Sequence, residues 1–93
     1  MATFIMLATL TPEGGQTVKS NPERIREVNR EAEALGVKVL EQWATLGEFD
    51  FVSVIDAPDV RAMMRLSMEL GSRGTARYLS YPAIPVDEFI ASL

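Results

Sequence analysis

The chain has 93 residues, of which 47% are hydrophobic, and a formal net charge of −4, so we predict one globular domain spanning residues 1–93. It contains no cysteine and no histidine, which excludes disulfides, thiolate nucleophiles, Cys-ligated metals and every mechanism that needs an imidazole base. The acidic balance argues against a nucleic-acid partner, and no apolar run approaches the roughly 18 residues that would predict a membrane span.

Residues 2–10 form an apolar run of strand length. The run lacks a preceding basic segment and a clear cleavage site, so we interpret it as the first strand rather than a signal peptide and expect the protein in the cytoplasm. Residues 11–15 contain a proline and two adjacent glycines, Gly14 and Gly15, which predicts a flexible connection. Residues 16–20 are expected to add one short helical turn.

The first long helix is predicted to begin at Asn21-Pro22. Asparagine can cap the free amides of a helix, and proline at the first helical position loses no hydrogen bond. Spacings of three and four residues then define a buried stripe, which consists of Ile25, Val28, Ala32 and Leu35. Gly36 is expected to end the helix in a left-handed conformation.

Two further strands are predicted over residues 37–46 and 49–57, the latter rich in aromatic and β-branched residues. Only Gly47 and Glu48 separate these strands, which predicts an antiparallel hairpin with a tight link. Gly47 is expected to have a positive φ, because glycine reaches that region without a Cβ clash.

A second long helix is predicted to begin at Pro58-Asp59 and to end at Gly71. Its spacing predicts a buried face that consists of Val60, Met63, Met64, Ser67 and Leu70. Met68 extends the methionine-rich character of this helix, and core packing is expected for its methionines rather than binding of a soft metal.

The remaining residues predict a fourth strand over 75–81 and a short terminal helix over 85–93. That helix is expected to pack Phe89 and Ile90 onto the edge of the domain. The resulting order is β-α-β-β-α-β, which predicts a ferredoxin-like α+β fold with a four-stranded antiparallel sheet in the order 4-1-3-2. Both long helices would then cover one face of the sheet, and the other face is where we expect a partner or ligand.

Residues 45–50, with the sequence TLGEFD, resemble the TLGEYD segment of the GYD domain family, with Phe49 at the position of the usual tyrosine. The flanking segments agree with that family at Leu10-Thr11 with Gly15, Ala57-Pro58-Asp59, Leu70-Gly71-Ser72 and Phe89. The resemblance implies the dimeric α/β-barrel superfamily, in which two protomers face their open sheets together, but it does not imply a biochemical role. Because Phe49 lacks a hydroxyl, a role that needs a phenol at that position is not expected.

Trp43 and Thr45 share one face of the second strand, and Arg77 and Tyr81 share one face of the fourth. If both rows face the open side of the sheet, they form a candidate binding surface near the hairpin. As candidate ligand-binding residues we select Thr9, Trp43, Thr45, Asp50, Arg77 and Tyr78. An indole and a guanidinium suit a small anionic or aromatic ligand. The same residue types are enriched at protein interfaces, and the two interpretations agree if the pocket forms between protomers.

Two functions therefore stay open. The first is a non-enzymatic oligomeric protein, a homodimer or higher oligomer, that binds a small ligand or serves assembly. The second is a cofactor-independent enzyme of the oxygenase or isomerase type with its site between protomers, since acid–base catalysis does not require histidine. Neither function calls for a metal or a cofactor.

Overall fold

The computed structural model describes residues 1–93 and contains eight helices and strands. In chain order they are β1 (Ala2–Leu10), α1 (Pro12–Ser20), α2 (Arg24–Ala34), β2 (Lys38–Ala44), β3 (Phe51–Ala57), α3 (Val60–Gly71), β4 (Ala76–Ala83) and α4 (Val86–Ser92). The predicted β-α-β-β-α-β order is confirmed. No helix is both long and apolar enough to cross a bilayer.

The four strands form one sheet in the order β2-β3-β1-β4, which is the predicted 4-1-3-2 order read from the other edge. Every neighbouring pair is antiparallel. The two outer strands are both irregular: β2 has a bulge between Val39 and Glu41, and β4 contains Pro82. The fold is therefore ferredoxin-like, as predicted.

The core lies between the sheet and the helices. On β1 and β3 alternate residues are buried, with Phe4 and Met6 on the former and Ile55 and Ala57 on the latter. Strand alternation places these side chains on one face of the sheet, where they pack with Met63 and other residues of α3. Only 13 of the 93 residues are buried, so the core is thin.

Helix α1 corrects the prediction of a flexible connection at residues 11–15. Thr11 caps it, because its Oγ1 atom accepts a hydrogen bond from the Gly14 amide at 3.1 Å, and Pro12 occupies the first turn. Gly14 is buried. The threonine–proline start and the tertiary contact of Gly14 outweigh the low helix propensity of two glycines.

The start of α2 also differs from the prediction. Asn21 is the C-cap of α1, and its amide donates to the Thr17 carbonyl oxygen at 2.9 Å. A turn follows, and α2 begins at Arg24 without a side-chain cap. At the far end, Gly36 has a φ of +82°, which confirms its predicted left-handed conformation.

The buried face of α3 is rotated relative to the prediction. Met63 and Leu70 are buried as expected, and Leu66 is buried with them, but Val60 and Met64 are exposed. Met68 is exposed as well, so the expectation that the methionines of this helix pack in the core holds only for Met63.

Helix α4 forms as predicted but does not pack as predicted. Phe89 and Ile90 remain more than half exposed, and no residue of the helix is buried. The apolar side chains of α4 therefore remain largely exposed to solvent.

Candidate functional site

One face of the sheet carries no helix, and we call it the open face. Its residues alternate with the buried ones: Thr3, Ile5, Leu7 and Thr9 on β1, Val52, Val54 and Asp56 on β3, Lys38, Glu41 and Trp43 on β2, and Arg77, Leu79, Tyr81 and Ala83 on β4. Trp43, Leu79 and Tyr81 are each about half exposed. The uncovered face predicted from the sequence is thus present, and its middle is largely apolar.

An apolar row crosses the open face from one edge to the other. Strand register places Trp43 opposite Val52, Val52 opposite Leu7, and Leu7 opposite Leu79. All four side chains therefore point to the same side of the sheet. A continuous apolar row across four strands is typical of a surface that another molecule covers.

Three of the predicted site residues lie on the open face, but not together. Thr9 is opposite Arg77, so these two are neighbours on β1 and β4. Trp43 lies on β2 at the other edge, three interstrand spacings from β4, which is roughly 14 Å. Trp43 and Arg77 therefore do not meet within one chain.

The connection between β2 and β3 has six residues, 45–50, in place of the two-residue link that was predicted. Thr9 Oγ1 donates to the Glu48 carbonyl oxygen at 3.1 Å, and Thr45 Oγ1 donates to the Phe49 carbonyl oxygen at 2.5 Å. Gly47 has a φ of +105°, which confirms the predicted positive φ.

Asp50 anchors this connection to β1. Its carboxylate Oδ2 atom accepts a hydrogen bond from the Leu10 amide at 2.7 Å, and its own amide donates to the Ala8 carbonyl oxygen at 2.8 Å. Its carbonyl oxygen accepts from the Thr45 amide at 2.8 Å. The polar groups of Thr9, Thr45 and Asp50 are therefore engaged in holding the TLGEFD segment in place.

Tyr78 lies on the other side of the sheet. Because Arg77 and Tyr78 are consecutive in β4, their side chains lie on opposite faces of the sheet. In the structure Tyr78 packs against the buried core. Its hydroxyl makes no hydrogen bond within the chain, and burial raises its pKa above the ordinary tyrosine value. Tyr78 is thus separated by the sheet from the other predicted site residues.

The structure also contains a cavity that the sequence did not reveal, and we call it the helix-side cavity. It has a volume of about 220 Å³, is partly open to solvent, and lies between the sheet and helices α1, α2 and α3. Its lining is predominantly hydrophobic, with 14 hydrophobic residues among 22. Tyr78 is the one predicted site residue that lines it.

Few polar groups line the helix-side cavity, and some of them bond to each other. Asn29 Nδ2 donates to Gln42 Oε1 at 2.8 Å, and Gln42 Nε2 donates to Ser53 Oγ at 3.1 Å. The charged residues in the lining are Arg24 and Arg73, and no carboxylate is among them. The lining therefore offers guanidinium groups but no carboxylate.

Both arginines pair with carboxylates outside the lining. Arg24 Nη1 lies 2.7 Å from Glu31 Oε2, and Arg73 Nη1 lies 2.6 Å from Glu31 Oε1. The hydrogen bond from Arg24 and the adjacent Arg73 guanidinium lower the pKa of the Glu31 carboxyl. Arg73 Nη1 is buried and lies close to Glu31, but it does not donate an aligned hydrogen bond to that carboxylate. Arg73 and Glu31 therefore interact as an ion pair.

Fold and surface together describe a small ferredoxin-like domain with one covered and one uncovered sheet face. The sequence model of the GYD domain family matches residues 4–93. A protein of Thermus thermophilus is 48% identical over 94 residues, which is 100% of this chain and 99% of that protein. The chain therefore belongs to the GYD domain family. The Thermus relative is named glutamine synthetase and cystathionine beta-lyase binding protein.

Three solved structures share the fold at low sequence identity. MtbAldR has a TM-score of 0.68 and 16% identity over 90% of this chain, and the chain spans about half of it, 52%. TTHA0845 from Thermus thermophilus has a TM-score of 0.60 and 20% identity, with 91% and 95% of the two chains covered. FFRP-DM1 has a TM-score of 0.60 and 17% identity, with 90% and 100% covered. At these identities the likeness concerns the fold alone.

Proposed function

We propose that this protein is a non-enzymatic binding protein that associates with a second copy of itself through the open face and binds metabolic enzymes as partners. The observation that carries the proposal is the apolar row formed by Trp43, Val52, Leu7 and Leu79. Left in water, this row would be a contiguous apolar patch on the surface, and such patches often mark contact sites.

The geometry of the row favours a second copy as its occupant. A two-fold axis parallel to the strands would place the β2 end of the row in one copy over the β4 end in the other. Trp43 stands at the first end and Leu79 at the second, so apolar side chains would meet apolar side chains. Such an isologous contact closes on itself and produces a dimer rather than a filament.

Partner enzymes enter the proposal through the Thermus relative, whose name states that it binds glutamine synthetase and cystathionine beta-lyase. At 48% identity over the full length of both chains, a shared kind of partner is a reasonable expectation. The polar groups of the TLGEFD segment are consistent with a role without catalysis, because Asp50 and Thr45 are occupied by structural hydrogen bonds.

Self-association is tested by sedimentation velocity at micromolar concentration. We expect a dimer for the natural sequence and a monomer for Leu79→Glu, since a carboxylate in the apolar row would be desolvated at the contact. Met64→Glu is the matched control, because Met64 is exposed on α3, away from the open face. A natural chain that sediments as a folded monomer would contradict the proposed dimer.

Partner binding is tested separately by surface plasmon resonance with glutamine synthetase and cystathionine beta-lyase purified from the organism that encodes this chain. We expect saturable binding of at least one of them. If the protein is a dimer but binds neither enzyme, the proposed self-association stands and these two partners are excluded.

A further inference from the structure

The helix-side cavity is independent of the open face, and three features of it together define a class of ligand. The first is its floor. Ala8 lies opposite Phe51 on one side and opposite Tyr78 on the other, so a methyl group separates two aromatic rings on the same face of the sheet. All three residues line the cavity.

The spacing of the rings suits a flat guest. Phe51 and Tyr78 belong to strands that are two interstrand spacings apart, which places their backbones roughly 10 Å from each other. Aromatic rings interact at centroid distances of about 4.5–7 Å in stacked or edge-to-face arrangements. One ring inserted above Ala8 can therefore contact both aromatic side chains.

The second feature is size. Apolar cavities of about 150 Å³ take up benzene, and the helix-side cavity has about 220 Å³. It therefore has room for a single ring with a small substituent.

The third feature is the polarity of the lining. The Tyr78 hydroxyl has no hydrogen-bond partner in the chain and is available as a donor. The charged side chains in the lining are both arginines. A hydrogen-bond acceptor on the guest is thus favoured at Tyr78. A cationic group is disfavoured because it would lose its hydration in a lining that offers no carboxylate.

We propose that the helix-side cavity binds a one-ring aromatic molecule whose carbonyl or carboxylate oxygen accepts a hydrogen bond from the Tyr78 hydroxyl. The ring lies above Ala8 between Phe51 and Tyr78. Helices α1 and α2 close over it through Val18 and Ile25, which line the cavity from above.

The test uses ¹⁵N-labelled full-length protein titrated with acetophenone, benzoate and benzylamine. These probes share one ring and differ in carrying a neutral acceptor, an anionic acceptor and a cation. We expect saturable shifts of the amides of Ala8, Val18, Phe51 and Tyr78 with acetophenone or benzoate. We expect binding of benzylamine to be weaker by about tenfold or more, since its ammonium group would lose hydration in a lining without a carboxylate. Absent or non-saturable shifts, shifts confined to the open face, or equal binding of benzylamine would each overturn the proposal.

Two matched substitutions locate the hydrogen bond. Tyr78→Phe keeps the ring and removes the hydroxyl, and we expect it to weaken acetophenone about threefold to tenfold, the range that one hydrogen bond provides. Tyr81→Phe makes the same change on the open face and is expected to leave the affinity unchanged. Equal affinities of the two variants would refute the role of Tyr78.

A third substitution fills the space. Ala8→Leu extends a side chain into the helix-side cavity and should abolish binding while the spectrum remains that of a folded protein. If Ala8→Leu does not fold, Val18→Phe fills the same space from α1. A folded, filled variant that binds acetophenone as well as the natural chain would show that the ligand lies elsewhere.

Discussion

Replacing Gly14 by alanine should destabilise the fold, although alanine is the better helix former. A Cβ atom at Gly14 would lie 1.8 Å from the Thr75 carbonyl oxygen and 2.8 Å from its carbonyl carbon. Even close contacts between an aliphatic carbon and a carbonyl oxygen are about 3.3–3.6 Å long. Helix α1 and the segment before β4 would therefore have to separate by roughly 1.5 Å.

The magnitude follows from what that separation disturbs. The Thr11 amide donates to the Thr75 carbonyl oxygen at 3.0 Å, and Thr11 Oγ1 donates to the Gly74 carbonyl oxygen at 2.8 Å. Each of these hydrogen bonds contributes about 0.5–1.5 kcal/mol, and the overpacking itself costs about 1–3 kcal/mol. Alanine returns about 0.5–1 kcal/mol through its helix propensity, which leaves a net loss of about 1–5 kcal/mol.

Gly15 provides the control, because a Cβ atom there would have no neighbour within 4 Å. Gly15→Ala should therefore stabilise the protein by about 0.5–1 kcal/mol. Urea unfolding followed by far-ultraviolet circular dichroism measures both variants on the same scale. If Gly14→Ala unfolds at the same urea concentration as Gly15→Ala, or later, the contact with Thr75 does not constrain α1 as argued.

Four further predictions concern stability and ligand retention. Gly47→Val should lower the free energy of unfolding by about 1–3 kcal/mol, because valine is strained at a φ of +105°; an unchanged urea midpoint would contradict this. Asp50→Ala should cost about 1–3 kcal/mol, since it leaves a β1 amide without its acceptor, whereas Asp50→Asn, which keeps an acceptor oxygen, should lose less. Arginine partners depress the pKa of Glu31 in the folded state, so its stabilisation is present above the unfolded pKa and is lost as the pH falls through the folded pKa. Urea midpoints of Glu31→Gln and the natural chain should therefore differ at neutral pH and converge in acid, and a constant difference would exclude the linkage. Trp43→Ala should reduce the retention of any ligand held between protomers, seen by native mass spectrometry, more than it reduces stability, with an effect of about 1–3 kcal/mol; equal losses would assign Trp43 to packing alone.

The sheet and its open face could be predicted because short-range patterns determine them. Strand alternation grouped Trp43 with Thr45 and Arg77 with Tyr81, and the structure then places Trp43 and Arg77 on the uncovered face. The connection lengths allowed few topologies besides the observed order. Alternation also contained the information that Tyr78 faces the helices, because Arg77 is its immediate neighbour in the strand.

The remainder depends on contacts between distant segments. In α3, one helical spacing selects Val60 and Met64 and another selects Leu66, and only the position of the helix over the sheet decides between them. Gly14 reads as a helix breaker until Thr75 is known to lie against it. The helix-side cavity lies between three helices and a sheet. Its existence depends on how these elements are positioned relative to each other, which the residue pattern does not specify.

The irregular outer strands determine how concentrated solutions of this protein should behave. A regular exposed edge is a template on which another chain can add a strand, and this is a common origin of aggregates. Here the bulge between Val39 and Glu41 interrupts one edge, and Pro82, which lacks an amide donor, interrupts the other. Sheet extension from molecule to molecule is thus disfavoured in both directions, and the protein should resist fibril formation even though its core is thin.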